Sequence, residues 1–153
     1  MGVGEAVKKI DTALDDTFAA VSPPLKWRKG PAGMSQHRNL LNEENGEVTV
    51  SRDCYVRTKV SKSKIAALAE DVEKHWKAKG YELESRNRKM PSFRYSTPEG
   101  VSVVFDVGGD LVTISASISD TKSPGRSGDI DKGDFPHGLK DIAPDVRDPY
   151  WSK

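Results

Sequence analysis

Residues 47–81 read EVTVSRDCYVRTKVSKSKIAALAEDVEKHWKAKGY, and within them the hydrophobic period changes from that of a strand to that of a helix. Up to residue 60 the apolar side chains recur at every second position, which predicts a strand with one buried face. Arg52 and Thr58 interrupt the apolar parity and Tyr55 interrupts the polar one, which predicts a bulge or an exposed strand end. From Ser61 the period lengthens to three or four residues, which predicts a helix that ends at Gly80. The apolar positions of this helix are Ile65, Leu68, Val72 and Trp76.

Strand-like alternation returns in ELESRNRKMPSFRYSTPEGVSVVFDVGGDLVTISASIS, residues 82–119. Two turn signals, at residues 98–100 and 108–110, divide it into runs joined by short connections. Such a meander predicts an antiparallel sheet of four to five strands, with two helices on one face and a polar opposite face rich in Ser, Thr, Glu and Arg. The predicted fold class is therefore α+β, a two-layer sandwich. The side chains predicted to be buried are Leu68, Trp76, Val103, Phe105 and Ile114.

The two ends of the sequence carry weaker signals. Residues 5–21 have helical spacing and stop at Ser22-Pro23-Pro24, which predicts a first helix. Residues 25–46 predict a long ordered loop, with room for a short strand at 25–28. We expect residues 1–120 to form a single α+β domain and residues 121–153 a Gly/Pro/Asp-rich tail. The tail should be flexible over 120–134 and docked through the apolar side chains of 135–151.

Composition limits the function classes. The formal net charge of +1 gives no global attraction to nucleic acid or to acidic membranes, so electrostatic binding requires a local patch. No run approaches the ~20 apolar residues that a spanning helix needs. Cys54 is the only cysteine, so an intrachain disulfide is impossible. Its parity predicts a buried core side chain; the alternatives are a nucleophile, which would need a neighbouring histidine, and an intermolecular partner.

The sequence offers little support for catalysis. His37, His75 and His137 lack metal-ligand spacing, and His75 beside Trp76 is predicted to pack. The acidic run at 129–134 resembles a calcium loop only loosely, because Gly133 stands at the fifth position and Lys140 replaces the bidentate glutamate. Neither a phosphate-binding glycine loop nor a nucleophile elbow is present. We therefore expect no metal, no cofactor and no enzymatic activity.

Basic residues beside aromatic rings are the better lead. One cluster surrounds Trp27, and another surrounds the turn at Met90-Pro91. Cations next to aromatic faces suit a partner with acidic groups or stackable bases. The candidate binding surface consists of Trp27, Arg28, Arg88, Arg94 and Tyr95.

Several short motifs resemble a family of small exported proteins and lipoproteins of actinobacteria whose function is uncharacterised. They are DTFAAVSPPLKW (16–27), VEKHWKAKGY (72–81) and STPEGVSV (96–103). The resemblance covers residues 6–119 and implies an extracytoplasmic domain tethered by an acylated N-terminal cysteine. The sequence departs from the pattern in two ways. It begins at Met1 without a signal peptide or lipobox, and it has Ile118 and Ser119 where members carry a late cysteine.

The leading functional hypothesis is an extracytoplasmic, membrane-tethered or secreted module that binds a protein or a cell-envelope component without catalysis. The first alternative is a cytoplasmic domain that binds nucleic acid through the Lys/Arg clusters. The second is a carrier of a small apolar ligand, held between the helices and the sheet.

Overall fold

The computed structural model describes residues 1–38, 40–87 and 89–153. The chain is α+β, with two helices and one open antiparallel sheet of seven strands. The elements in chain order are α1 (Val3–Ala19), β1 (Trp27–Arg38), β2 (Glu44–Val56), α2 (Lys62–Ala78), β3 (Glu82–Asn87), β4 (Ser92–Ser96), β5 (Ser102–Gly108), β6 (Leu111–Lys122) and β7 (Gly128–Asp131). Both predicted helices are present, and the alternating segments of 47–119 form β2 through β6.

The sheet has the strand order β3-β4-β5-β6-β2-β1-β7. The prediction of four to five strands was wrong, because it omitted β1 and β7. β1 (Trp27–Arg38) lies in the segment expected to be a loop with at most a short strand at 25–28, and β7 lies in the segment expected to be flexible. β6 also continues past residue 120, where the domain was expected to end.

β1 escaped prediction because its stability comes from its neighbours and not from its own sequence pattern. The strand WRKGPAGMSQHR contains two glycines and a proline, residues that are rare in strands. It nevertheless pairs with β2 on one side and with β7 on the other. Its register shifts between Lys29 and Ala32, so Pro31 falls at a bulge where a missing N–H is tolerated. Gly30 lies there too, and a Cβ atom at this position would be 2.6 Å from the carbonyl oxygen of Asp53.

Both helices share one hydrophobic core with one face of the sheet. The five side chains predicted to be buried are buried, and Trp76 of α2 is at the centre. Its ring contacts Phe93 edge to face at 5.5 Å between centroids, and Phe93 stacks on Phe105 at 5.2 Å. These aromatic rings pack together between α2 and the strands β4 and β5.

The residues after β7 pass round the end of β1 and β2. Phe135 is buried against Tyr55 on the face away from the helices. Further along the chain, Val146 forms an isolated parallel β-bridge with Thr58. Trp151 is fully buried, and its indole N–H donates to the carbonyl of Pro23. The apolar side chains of Leu139 and Tyr150, by contrast, are exposed.

Candidate functional site

The structure does not bring the predicted binding residues together. Trp27 and Arg28 lie on β1, whereas Arg94 and Tyr95 lie on β4. Three strands lie between β1 and β4, so the two strands are four spacings of ~4.8 Å apart, about 19 Å. Arg88, the fifth predicted residue, lies outside the described residues.

The two aromatic residues of that set pack against other parts of the fold. Trp27 is half-buried and stacks on Phe18 of α1, with ring centroids 4.0 Å apart. Tyr95 is only 1% exposed, and its hydroxyl donates to Glu73 of α2. The alternation along β4 contained this information, because Tyr95 has the parity of the buried Phe93.

The two arginines have different roles. The guanidinium of Arg28 lies 4.2 Å from the centroid of the Phe135 ring and donates to the carbonyl of Asp141. Arg28 therefore holds the C-terminal segment onto the sheet. Arg94 is exposed on the face of the sheet away from the helices, and it donates to the hydroxyl of Ser102 at 2.8 Å.

That second face of the sheet, which we call the open face, is the best candidate site among the described residues. It contains a shallow depression of about 460 Å³ that spans β2, β4, β5 and β6. Five of its eleven lining residues carry a short hydroxyl side chain. The lining residues are Ser51, Asp53, Tyr55, Arg94, Ser102, Val104, Asp106, Thr113, Ser115, Ala116 and Ser117.

Hydrogen bonds between neighbouring strands fix the polar groups of the open face. Ser115 donates to Asp53 at 2.6 Å, and Ser92 donates to Asp106 at 3.0 Å. Together with the Arg94–Ser102 bond, these contacts hold each charged group of the depression beside a hydroxyl. A ligand therefore meets an ordered array of donors and acceptors, with carboxylates outnumbering the single arginine.

The open face lacks an activated nucleophile. Its serines have no histidine among the lining residues to accept a proton. Cys54 lies on the opposite face and is fully buried, and burial raises the pKa of its thiol to about 12. At this pKa the thiol is protonated at neutral pH, and it is shielded from solvent.

Arg52 forms a buried ion cluster on the face of the sheet that the helices cover. It is 4% exposed, and it donates to Asp11 of α1, to Asp131 of β7 and to the carbonyl of Gly30. Burial alone would raise the pKa of Asp131, but hydrogen bonds from Arg52 and its charge lower it overall. Arg52 thus explains the interruption of the apolar parity in β2. It joins α1, β1, β2 and β7.

A second polar cluster joins α2 to the β3–β4 hairpin. Glu73 accepts hydrogen bonds from Arg86 and from Tyr95. Burial opposes the ionisation of Glu73, but these two donors lower its pKa overall. Burial and the hydrogen bond to Glu73 raise the pKa of Tyr95 to about 12. Tyr95 was predicted to belong to the binding surface, but its hydroxyl is bonded inside the fold.

The acidic run at 129–134 is occupied by internal contacts. Asp131 binds Arg52, and Asp134 accepts the backbone N–H of Lys29 at 2.7 Å. His75 packs between the helices, with its Nε2 atom 2.8 Å from a carboxylate oxygen of Asp16. Over residues 1–38, 40–87 and 89–153, no group of three His, Cys, Asp or Glu side chains is placed to hold a metal ion.

Comparisons with protein-family models, with curated protein sequences and with solved structures found no match to this chain. Within the described parts of the chain, neither helix combines the length and the apolar character needed to cross a bilayer.

Proposed function

We propose that this protein is a non-catalytic binding module, a two-layer α+β sandwich that holds a protein partner on its open face. The observation that supports this most is the ordered hydroxyl array between Asp53, Arg94 and Asp106. Serine and threonine lose little side-chain entropy when they are covered, and the charged groups beside them are already held in place. Binding to this surface would therefore cost little side-chain conformational entropy.

The chemistry of the open face favours a protein over other partners. Tyr55, the one aromatic residue of its lining, is buried, so a sugar ring finds no exposed aromatic surface to stack on. The excess of carboxylates over Arg94 would repel a phosphate backbone. A folded protein or an extended peptide can use alternating hydroxyls, carboxylates and a guanidinium.

The resemblance to exported actinobacterial lipoproteins supports an extracytoplasmic location, with the module tethered to the membrane or secreted. The partner would then be a protein of the cell envelope. A cytoplasmic location is the alternative, and fractionation of cells that express the chain distinguishes the two.

The test is site-specific photocrosslinking in those cells. A photoreactive phenylalanine analogue replaces Ser117 on the open face, and a control chain carries it at Ser63 on α2. We expect one defined crosslinked adduct from the chain labelled at position 117 and no such adduct from the control labelled at position 63. The adduct from position 117 should disappear when Ser102→Arg is added to the same chain. Equal adducts from both positions, or an adduct that Ser102→Arg leaves unchanged, would rule out the open face as the binding surface.

A further inference from the structure

A pocket on the helix side of the sheet lies between α1, the end of α2 and the turn that joins β4 to β5. It has a volume of about 280 Å³. Pockets that hold drug-sized ligands measure roughly 300–1,000 Å³, so this one suits a smaller molecule. We call it the α1 pocket.

Ordered elements form the walls of the α1 pocket. One wall is a face of α1 that includes the buried Ala13. The turn after α2 forms the second wall, and it is fixed because the N–H of Tyr81 donates to the carbonyl of Trp76 at 3.0 Å. The third wall is the β4–β5 turn, in which the N–H of Val101 donates to the hydroxyl of Thr97 at 3.0 Å. A ligand therefore finds the pocket already shaped and has little chain to order.

The α1 pocket has two lysines and two carboxylates in its lining, so its charges balance. Asp16 is already partnered, because one of its oxygens lies 2.8 Å from Nε2 of His75 and 3.8 Å from the ammonium of Lys79. The other two charges, those of Lys9 and Glu99, form no ion pair with any of the described residues. Lys9 is nevertheless half-buried. The pocket thus offers one free cation and one free anion.

Tyr81 adds a neutral polar group to the α1 pocket. Its hydroxyl has no hydrogen-bond partner within the part of the chain that the structure describes. Burial raises the pKa of this hydroxyl, and the charges of Asp16 and Glu99 raise it further, so the group stays protonated and can donate. Pro98 and the buried Val101 supply aliphatic surface in the same lining.

We propose that the α1 pocket binds a small zwitterion, a free α-amino acid with an aliphatic side chain. Lys9 pairs with the carboxylate of the ligand, and Glu99 pairs with its ammonium group. The aliphatic side chain packs on Pro98 and Val101. A ligand with a single charge would use only one of the two free groups, and the balanced lining gives it no net electrostatic attraction.

This site is separate from the surface on which the proposed function depends. The α1 pocket is on the helix side of the sheet, and the open face is on the other side. The two proposals therefore stand or fall independently.

Two-dimensional NMR of the ¹⁵N-labelled full chain, titrated with L-leucine, tests the proposal. We expect saturable shifts with a Kd of about 0.1–1 mM, the range for a ligand of this size. The shifted amides should include those of Ala13, Tyr81 and Gly100, which surround the pocket. No saturable shift at about 20 mM leucine, or shifts confined to the open face, would overturn the proposal.

Two analogues of leucine test whether both charges are recognised. 4-Methylpentanoate lacks the ammonium group and L-leucinamide lacks the carboxylate. At about pH 6.5 the amines of leucine and leucinamide are protonated. Each analogue should bind about 10-fold more weakly than leucine, because one charged hydrogen bond is lost. If either analogue binds as tightly as leucine, the ligand is not recognised as a zwitterion.

Two variants assign the charges of the ligand to the residues of the pocket. Lys9→Gln should weaken leucine binding about 10-fold and leave the affinity for leucinamide unchanged. Glu99→Gln should weaken leucine binding by a similar factor and leave the affinity for 4-methylpentanoate unchanged. The matched controls Lys8→Gln and Glu82→Gln alter exposed residues outside the lining, so they should bind leucine as the wild type does. Leucine binding that neither Lys9→Gln nor Glu99→Gln weakens would refute the assignment.

Discussion

The hydrogen bond between Thr17 and Trp76 makes a quantitative test of how α1 is held against α2. The indole N–H of Trp76 donates to the Thr17 hydroxyl at 2.9 Å, and that hydroxyl donates to the carbonyl of Ala13 at 2.8 Å. Both side chains are buried, so water cannot replace either partner. Thr17→Val preserves the volume of the side chain and removes the acceptor.

The expected cost follows from the buried N–H that is left without a partner. Such a group costs about 1–3 kcal/mol, so we expect Thr17→Val to lower the free energy of unfolding by about 2 kcal/mol. For a chain of this size that corresponds to a fall in Tm of about 4–8 °C. Thr17→Ser keeps the oxygen and loses one methyl group, so it should cost only about 1 kcal/mol.

Urea unfolding followed by circular dichroism measures these values, and a double-mutant cycle isolates the bond. In a Trp76→Phe background the donor is absent, so Thr17→Val should cost less than about 0.5 kcal/mol. If Thr17→Val costs no more than Thr17→Ser, or costs the same with and without the indole, the bond does not hold the helices together.

Two further predictions concern β1 and the ion clusters. Gly30→Ala should lower the unfolding free energy by about 2–3 kcal/mol in urea titrations, because its Cβ would meet the Asp53 carbonyl. Gly33→Ala, whose Cβ meets nothing closer than 3.8 Å, should change stability by under about 0.5 kcal/mol; equal effects would contradict the assigned register. The pKa values of Asp131 and Glu73 are lowered on folding, so both stabilise the fold fully above their unfolded pKa of about 4. This contribution is lost as pH falls towards the folded pKa values. The urea concentration at the unfolding midpoint should therefore decrease once the pH is below about 4. Asp131→Asn should weaken that drop, and an unchanged pH profile in this variant would refute the role of Asp131.

The parts of the fold that could be predicted have a regular hydrophobic period. α2 and the strands β2, β4, β5 and β6 bury one face each, and their sequences record which face it is, whereas β3 is exposed along its whole length. β1 and β7 could not be recognised in this way. Gly30 and Pro31 are present because of a bulge and a close approach to β2, and β7 is a four-residue strand whose pairing depends on β1. Information of this kind lies in contacts between distant segments.

The candidate site shows the same division. The polar parity of β2 and β6 predicted a polar second face, and the structure places Ser115 and Ser117 there. The basic-aromatic surface was not assembled, because clustering along the sequence does not give distance across a sheet. The sequence also could not show that Arg28 is used inside the fold, because its partner Phe135 lies 107 positions further along the chain.

The burial of Trp151 has a consequence for the order of events in folding. Its indole bonds to Pro23 across 128 residues of sequence, and its carbonyl accepts the N–H of Ser61 at the start of α2. During synthesis the helices and most strands are available long before this side chain is. The space between the end of α1 and the start of α2 is then open to water, and contacts this distant in sequence close slowly. We therefore expect the nascent chain to pass through a stage in which its sheet can form while one corner of its core is exposed, and we expect the arrival of Trp151 to end that stage.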